Sequence, residues 1–214
     1  MVYGWNFHSH LSCIRYFKGR IPVFFRGDSN LLNKSGNFFK NICKSIWLHW
    51  VYKHVDVAFY VGKLNREYFL KYGLTDSQLI HAPHAVDNNR FESSLHTDLR
   101  KQYNIPDGCI LFLYAGKFEE IKNIPVLINA FKETPQQAYL LLVGNGILES
   151  VIKEKVSGFT LEVSSRIKIV DFVNQRDMPD VYHTADVFIL PSKSETWGLS
   201  VNEAMAAGKA VIVS

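Results

Sequence analysis

From Cys109 onward, short apolar runs alternate with amphipathic stretches so regularly that few architectures can hold the chain. Strands are expected at 110–115, 139–143, 167–170, 187–190 and 210–213, with helices around 124–133, 147–156, 176–184 and 198–207. Runs that are apolar throughout, and not at every second residue, must be covered on both faces. That requires a parallel sheet with helices on either side. Ligands of such sheets bind beyond the carboxyl ends of the strands. Those ends are Gly116-Lys117, Gly144-Asn145-Gly146, Phe172-Val173-Asn174 and Pro191-Ser192, so these loops should crowd one rim.

The first half repeats the pattern more loosely. Residues 1–6 read as irregular; 21–26, 55–61 and 78–82 read as strands and 63–72 as a helix ending at Gly73. Between them Phe38, Phe39, Ile42, Ile46, Trp47, Trp50, Val51 and His54 recur at helical spacing, with Lys40, Lys44 and Lys53 elsewhere around the wheel. Such a basic amphipathic helix fits either the core or a lipid interface. A polar, charged connector through Asp107 separates the halves, giving domains at 1–107 and 108–214.

Charge is uneven. The first 55 residues hold eight Lys and Arg against one acid, Asp28. That balance suits an anionic membrane surface or an acidic polymer, and equally a merely solvated basic face. The cysteines, Cys13, Cys43 and Cys109, are odd in number and far apart, which argues against a disulfide framework or a cysteine zinc site. His81 and His84 have no ligating companions nearby, so no metal is expected. No apolar run reaches the length of a membrane span and no signal peptide is visible. A cytoplasmic protein, at most peripheral at the inner face of the membrane, is expected.

The tail, residues 191–209, carries the chemistry. Glu195 lies in a loop and Glu203 about one turn inside the following helix, whose first amides belong to Gly198, Leu199 and Ser200. A helical side chain leans toward the helix N-terminus, so Glu203 should point back toward Glu195 and share one pocket with it. Free amides at a helix start suit a phosphate, and carboxylates suit hydroxyl groups. A nucleotide-sugar presents both. The turn after Ala115 is not Gly-x-Gly-x-x-Gly, and no Gly-x-x-x-x-Gly-Lys-Ser/Thr occurs, which disfavours a dehydrogenase or a P-loop NTPase.

Pro191-Ser192 with Glu195, then Gly198-Leu199, then Glu203-Ala204-Met205-Ala206 with Gly208 and an apolar strand resembles the donor motif of retaining GT-B glycosyltransferases, the GT4-like group 1 enzymes. Gly116-Lys117 and Lys122 are similar to that family's Gly-Arg and Lys-Gly loop, in which two cations hold the donor pyrophosphate. Lys117 replaces the usual Arg, a point charge in place of a fork. Pro83, Val86, Asp87 and Phe91 resemble the interdomain hinge, with His84 and Ala85 where Asn and Gly are usual.

The resemblance implies a GT-B α/β fold of two Rossmann-like parallel-sheet domains, both incomplete because the chain looks cut at each end. It implies sugar transfer from a nucleoside diphosphate to an acceptor hydroxyl with retention, without an enzyme adduct. Lys117 and Lys122 would stabilise the leaving diphosphate, Glu195 would hold sugar hydroxyls and Glu203 the ribose diol. Donor contacts would come from Gly116, Gly144, Asn145, Phe172, Val173, Thr196, Trp197, Gly198, Leu199, Ser200 and Glu203. No metal or cofactor is expected beside the donor co-substrate, and no nucleic acid. The acceptor would be a saccharide or glycolipid of surface polysaccharide or lipopolysaccharide assembly. Two other readings stay open: an inactive remnant that only binds nucleotide, and another GT-B enzyme such as a nucleotide-sugar epimerase or sugar phosphorylase.

Overall fold

The computed structural model describes residues 1–32, 38–93 and 99–214. Two compact units divide the chain, Met1–Ala85 and Val86–Ser214.

The first unit is a four-stranded parallel sheet in the order β1-β2-β3-β4, formed by Val2–Tyr3, Phe24–Arg26, Val57–Tyr60 and Leu79–His81. Its helices are α1 (His8–Phe17), α2 (Phe38–Tyr52) and α3 (Lys63–Lys71). The expected strands are present but shorter than their apolar runs. Residues 1–6, read as irregular, include β1, because Val2 and Tyr3 pair with Phe25 and Arg26, a tertiary contact that local sequence does not encode. Helix α1 also lies outside the expected elements; only Ile14 of it is buried.

Helix α2 splits its apolar stripe. Leu48, Val51 and Tyr52 are buried, with the Tyr52 ring 5.5 Å from both Phe25 and Phe69. Phe38, Phe39, Ile42, Ile46 and Trp50 remain exposed. The core takes only the later turns of the helix, so the aromatic residues at its start face outward.

In the second unit the short helices α4 (Asn88–Glu92) and α5 (Leu99–Gln102) precede a five-stranded sheet. Its strands are β5 (Ile110–Ala115), β6 (Ala138–Val143), β7 (Ile167–Val170), β8 (Val187–Leu190) and β9 (Ala210–Val213), arranged β7-β6-β5-β8-β9 with every pair parallel. The strand order reverses at β5. Right-handed crossovers then place α6 (Ile124–Phe131), α7 (Glu149–Ser157) and the single turn α8 (Leu161–Ser164) on one face, and α9 (Met178–Thr184) and α10 (Leu199–Ala206) on the other.

Sequence explains these helices well. Pro125 stands in the first turn of α6, where its missing N–H costs nothing, and Ile124, Leu127, Ile128 and Phe131 form one buried stripe. Each such side chain contributes roughly 1.5–3 kcal/mol by burial. Along β5 the ladder to β6 runs from Ile110↔Ala138 to Ala115↔Val143, whereas the ladder to β8 comprises only Phe112↔Val187 and Leu113↔Phe188.

The division at Ala85/Val86 falls at the start of the segment expected to connect the halves through Asp107. The connector is polar in composition, yet Phe91, Leu99 and Ile105 are buried in the second core. Arg100 fastens it further, donating to the Thr184 and Cys109 carbonyls at 3.1 and 3.0 Å and to Asp186 at 2.7 Å. The part of the connector at residues 94–98 lies outside the described residues.

Candidate functional site

The site grows from the turns that follow β5 and β6. Phe118 is fully buried; its N–H donates to the Asn145 carbonyl at 2.8 Å, and its own carbonyl accepts from Leu148 N–H at 3.0 Å. The two turns are thereby stitched into one surface. The approach is so close that a Cβ at Gly144 would lie 2.0 Å from the Gly116 carbonyl oxygen, and one at Gly146 would lie 2.7 Å from that of Phe118. Sequence alone presents this glycine pair as a generic tight turn; the structure requires it for loop-to-loop packing. The Tyr114 hydroxyl donates to the Lys117 carbonyl at 2.9 Å and holds the first turn in place. Burial first, then the charges of Glu195 and Glu119, push this phenol well above its ordinary pKa, so it keeps its proton.

The turn after β7 brings in Phe172, exposed, and Val173, half-buried. Asn145 donates through Nδ2 to Asp171 Oδ1 at 3.1 Å, which joins this turn to the second. Helix α10 supplies the opposite wall. Gly198 precedes it in the left-handed region (φ 79°), and the helix start takes no side-chain cap, so its first amides are oriented for an anion. One turn in, Glu203 is only 8% exposed. Its Oε1 accepts from Gln175 Nε2 and its Oε2 from the Tyr182 hydroxyl, each at 2.8 Å.

These elements enclose a cavity of about 220 Å³. Of the expected donor contacts, Gly116, Lys117, Gly144, Asn145, Phe172, Val173, Ser200 and Glu203 line it. Lys117 reaches it as a side chain 77% exposed, 3.9 Å from Glu119. Ala115, Val143, Gln175, Met178 and Tyr182 line it as well, and sequence reasoning missed them. Met178 and Tyr182 are four apart on α9 with Gln175 three residues before, a helical spacing that reads as ordinary core.

The remaining expected residues, Lys122, Glu195, Thr196, Trp197, Gly198 and Leu199, do not line this cavity. Of the two carboxylates expected to share one pocket, Glu203 lines this cavity and Glu195 does not. Glu195 is held elsewhere: Lys122 Nζ and Ser192 Oγ both donate to its Oε1 at 2.6 Å. The Lys122 and Glu195 side chains are 23% and 26% exposed. A backbone bond from Lys193 N–H to the Ile121 carbonyl at 2.8 Å ties the Glu195 loop to the turn bearing Lys122.

The arrangement supplies an exposed cation at the cavity mouth, a paired cation beside a second carboxylate, helix-start amides and a buried hydrogen-bonded carboxylate, all beyond the carboxyl ends of one parallel sheet. Cations and helix-start amides suit an anion, and a carboxylate with spare acceptor positions suits hydroxyl groups.

Comparison with known proteins points the same way. The family model described as glycosyl transferases group 1 matches residues 96–214. The D-inositol 3-phosphate glycosyltransferase of Xylanimonas cellulosilytica is 28% identical over 151 residues, which cover 67% of this chain and 36% of that protein. The lipopolysaccharide 1,2-N-acetylglucosaminetransferase of Salmonella typhimurium is 29% identical over 141 residues, covering 62% and 37%. The crystal structure of Anabaena HepE in complex with UDP superposes with a TM-score of 0.78 at 20% identity, covering 99% of this chain and 58% of that one, a likeness of fold. The chain thus spans little more than a third of these curated relatives' length.

Proposed function

We propose, since the chain belongs to the glycosyl transferases group 1 family, that it takes part in moving a sugar from a nucleoside diphosphate to an acceptor hydroxyl with retention at the anomeric carbon. The observation that carries this reading is the buried Glu203 carboxylate facing the Gly116-Lys117 and Gly144-Asn145 turns across one cavity. That cavity sits where the strand order reverses, the usual ligand crevice of an open parallel sheet. HepE, of the same fold, was crystallised in complex with UDP, which supports a nucleotide-sugar as donor.

In this reading Glu203 takes the ribose diol and the α10 amides with Lys117 take the diphosphate. Lys122 and Glu195 act as a unit beside the reacting sugar: Glu195 holds its hydroxyls, and Lys122 turns toward the departing diphosphate. Charge that grows on the leaving group then meets fixed cations and dipoles, electrostatic preorganisation that calls for no metal. Thr196, Trp197, Gly198 and Leu199 shape the loop that carries Glu195. The acceptor is a saccharide or glycolipid of surface polysaccharide or lipopolysaccharide assembly, by analogy with the Salmonella relative. A cytoplasmic site at the inner face of the membrane fits the free Cys13, Cys43 and Cys109 and the exposed Phe38 and Phe39 beside Lys40 on α2. No helix among the described residues is long and apolar enough to cross a membrane.

The test is calorimetry with UDP and GDP, followed by turnover of the matching nucleotide-sugar on saccharide acceptors, with and without EDTA, and assignment of the product anomer by NMR. Binding, EDTA-insensitive transfer and a retained anomer are expected. Failure to bind either nucleotide would overturn the donor assignment, and an inverted product would overturn retention. Binding without transfer would leave the chain a nucleotide-binding remnant.

The cations give a separate prediction. Lys117→Ala and Lys122→Ala should each weaken UDP far more than uridine, because their partner is the diphosphate. Lys117→Arg should bind at least as well, a fork replacing a point charge. Equal losses for uridine and UDP in the alanine variants would show that the lysines act on something other than phosphate.

A further inference from the structure

Glu203 and Asp180 are the buried acids among the described residues, and the two carboxylate oxygens of Glu203 are held by two different elements. The Tyr182 hydroxyl on α9 donates to Oε2, and Gln175 Nε2, from the turn before α9, donates to Oε1. Tyr182 is fully buried, its ring set edge-on between Phe91 at 5.7 Å and Phe188 at 5.6 Å. Burial, then the Glu203 charge, push this phenol well above its ordinary pKa, so it stays a donor. The Gln175 backbone is anchored in turn, its carbonyl accepting from the Arg90 guanidinium on α4. An ionised carboxylate offers about four acceptor positions, so two bonds leave capacity for ligand hydroxyls on the cavity side.

We propose that Tyr182 and Gln175 are positioning residues that aim Glu203, so that the three together read whether a bound nucleotide carries ribose hydroxyls. The proposal rests on the donor reading above and extends it to residues that touch no reacting atom. A free glutamate must give up rotamer freedom when it is ordered. Here the ordering is already done by the fold, so a ribose diol meets a preset acceptor pair.

The experiment compares UDP with 2′,3′-dideoxy-UDP by calorimetry on the full chain, on Tyr182→Phe, on Gln175→Met and on Glu203→Ala, with GDP and its dideoxy form run in parallel. Thermal melts accompany each variant. The unmodified chain is expected to prefer the ribose form by about tenfold or more, the worth of hydrogen bonds to a charged group. Tyr182→Phe and Gln175→Met should each cut that preference severalfold while the affinity for the dideoxy nucleotide stays within about twofold. Glu203→Ala should abolish the preference, and adding Tyr182→Phe to it should change nothing further, since the two act through one group.

A preference that survives in Tyr182→Phe, or parallel losses for ribose and dideoxy forms, would overturn the assignment and leave Tyr182 a packing residue. Gln175 is exposed and its replacement does not threaten the fold, so Gln175→Met decides the matter if Tyr182→Phe does not fold. Should the unmodified chain bind neither UDP nor GDP, the donor reading itself falls and the positioning role falls with it. That result differs from binding in which the variants keep the ribose preference.

Discussion

Gly144→Ala is expected to cost about 2–5 kcal/mol of stability and to abolish nucleotide binding even where the chain stays folded. The added methyl would stand 2.0 Å from the Gly116 carbonyl oxygen and 3.4 Å from the Phe118 ring. A backbone oxygen cannot swing aside as a side chain can. The backbone at Gly144 has φ 142°, a conformation that L side chains rarely adopt, so strain adds to the clash. Relief requires the β5 and β6 turns to part, which breaks the bond from Phe118 N–H to the Asn145 carbonyl and removes one wall of the cavity. Against a typical total stability of about 5–15 kcal/mol the loss is large. Urea melts would show a lowered midpoint at unchanged slope. Gly158→Ala is the control: φ there is −76° and the nearest contact is 3.5 Å, so little change is expected. Similar midpoints for both variants would refute the close-packing account of Gly144.

Glu203→Ala is expected to weaken nucleotide binding by about 1.5–3 kcal/mol, roughly 10- to 150-fold. The substitution removes the acceptor of two protein donors as well as that of the ligand. The Tyr182 hydroxyl is thereby left buried without its partner, which adds a stability cost of about 1–3 kcal/mol. Glu203→Gln keeps the size but presents an amide to two donors, and it should fall between alanine and the unmodified chain in affinity. Calorimetry with UDP and GDP measures both. An unchanged dissociation constant in a folded Glu203→Ala protein would remove this residue from the binding site.

What the sequence made legible follows from how local each cause is. The strands of the second sheet are runs such as Leu140-Leu141-Leu142-Val143, apolar enough to declare burial on both faces, and β5, β7, β8 and β9 begin and end where the sequence places them. The rim loops follow from those strand ends, which is why Lys117 and seven expected donor-binding residues line one cavity. Nonlocal partners were hidden. Nothing in Val2-Tyr3 announces a strand until β2 is beside it. The connector looked like a linker because its buried side chains, among them Phe91, Leu99 and Ile105, are spread among polar neighbours. Glu195 and Glu203 looked like one pair from their spacing, but spacing says nothing of Lys122, Ser192, Gln175 or Tyr182, the groups that separate their roles.

The short ladder between β5 and β8 has a mechanical meaning. Six residue pairs join β5 to β6 and four join β8 to β9, but two join the halves of the sheet to each other. The sheet of the second unit is thus two plates, β7-β6-β5 and β8-β9, joined by the shortest ladder among its strand pairs. The cavity straddles that line, with Gly116, Gly144 and Val173 on one plate and Ser200 and Glu203 on the other. A molecule seated there would touch both plates at once, so its binding would favour their being held together.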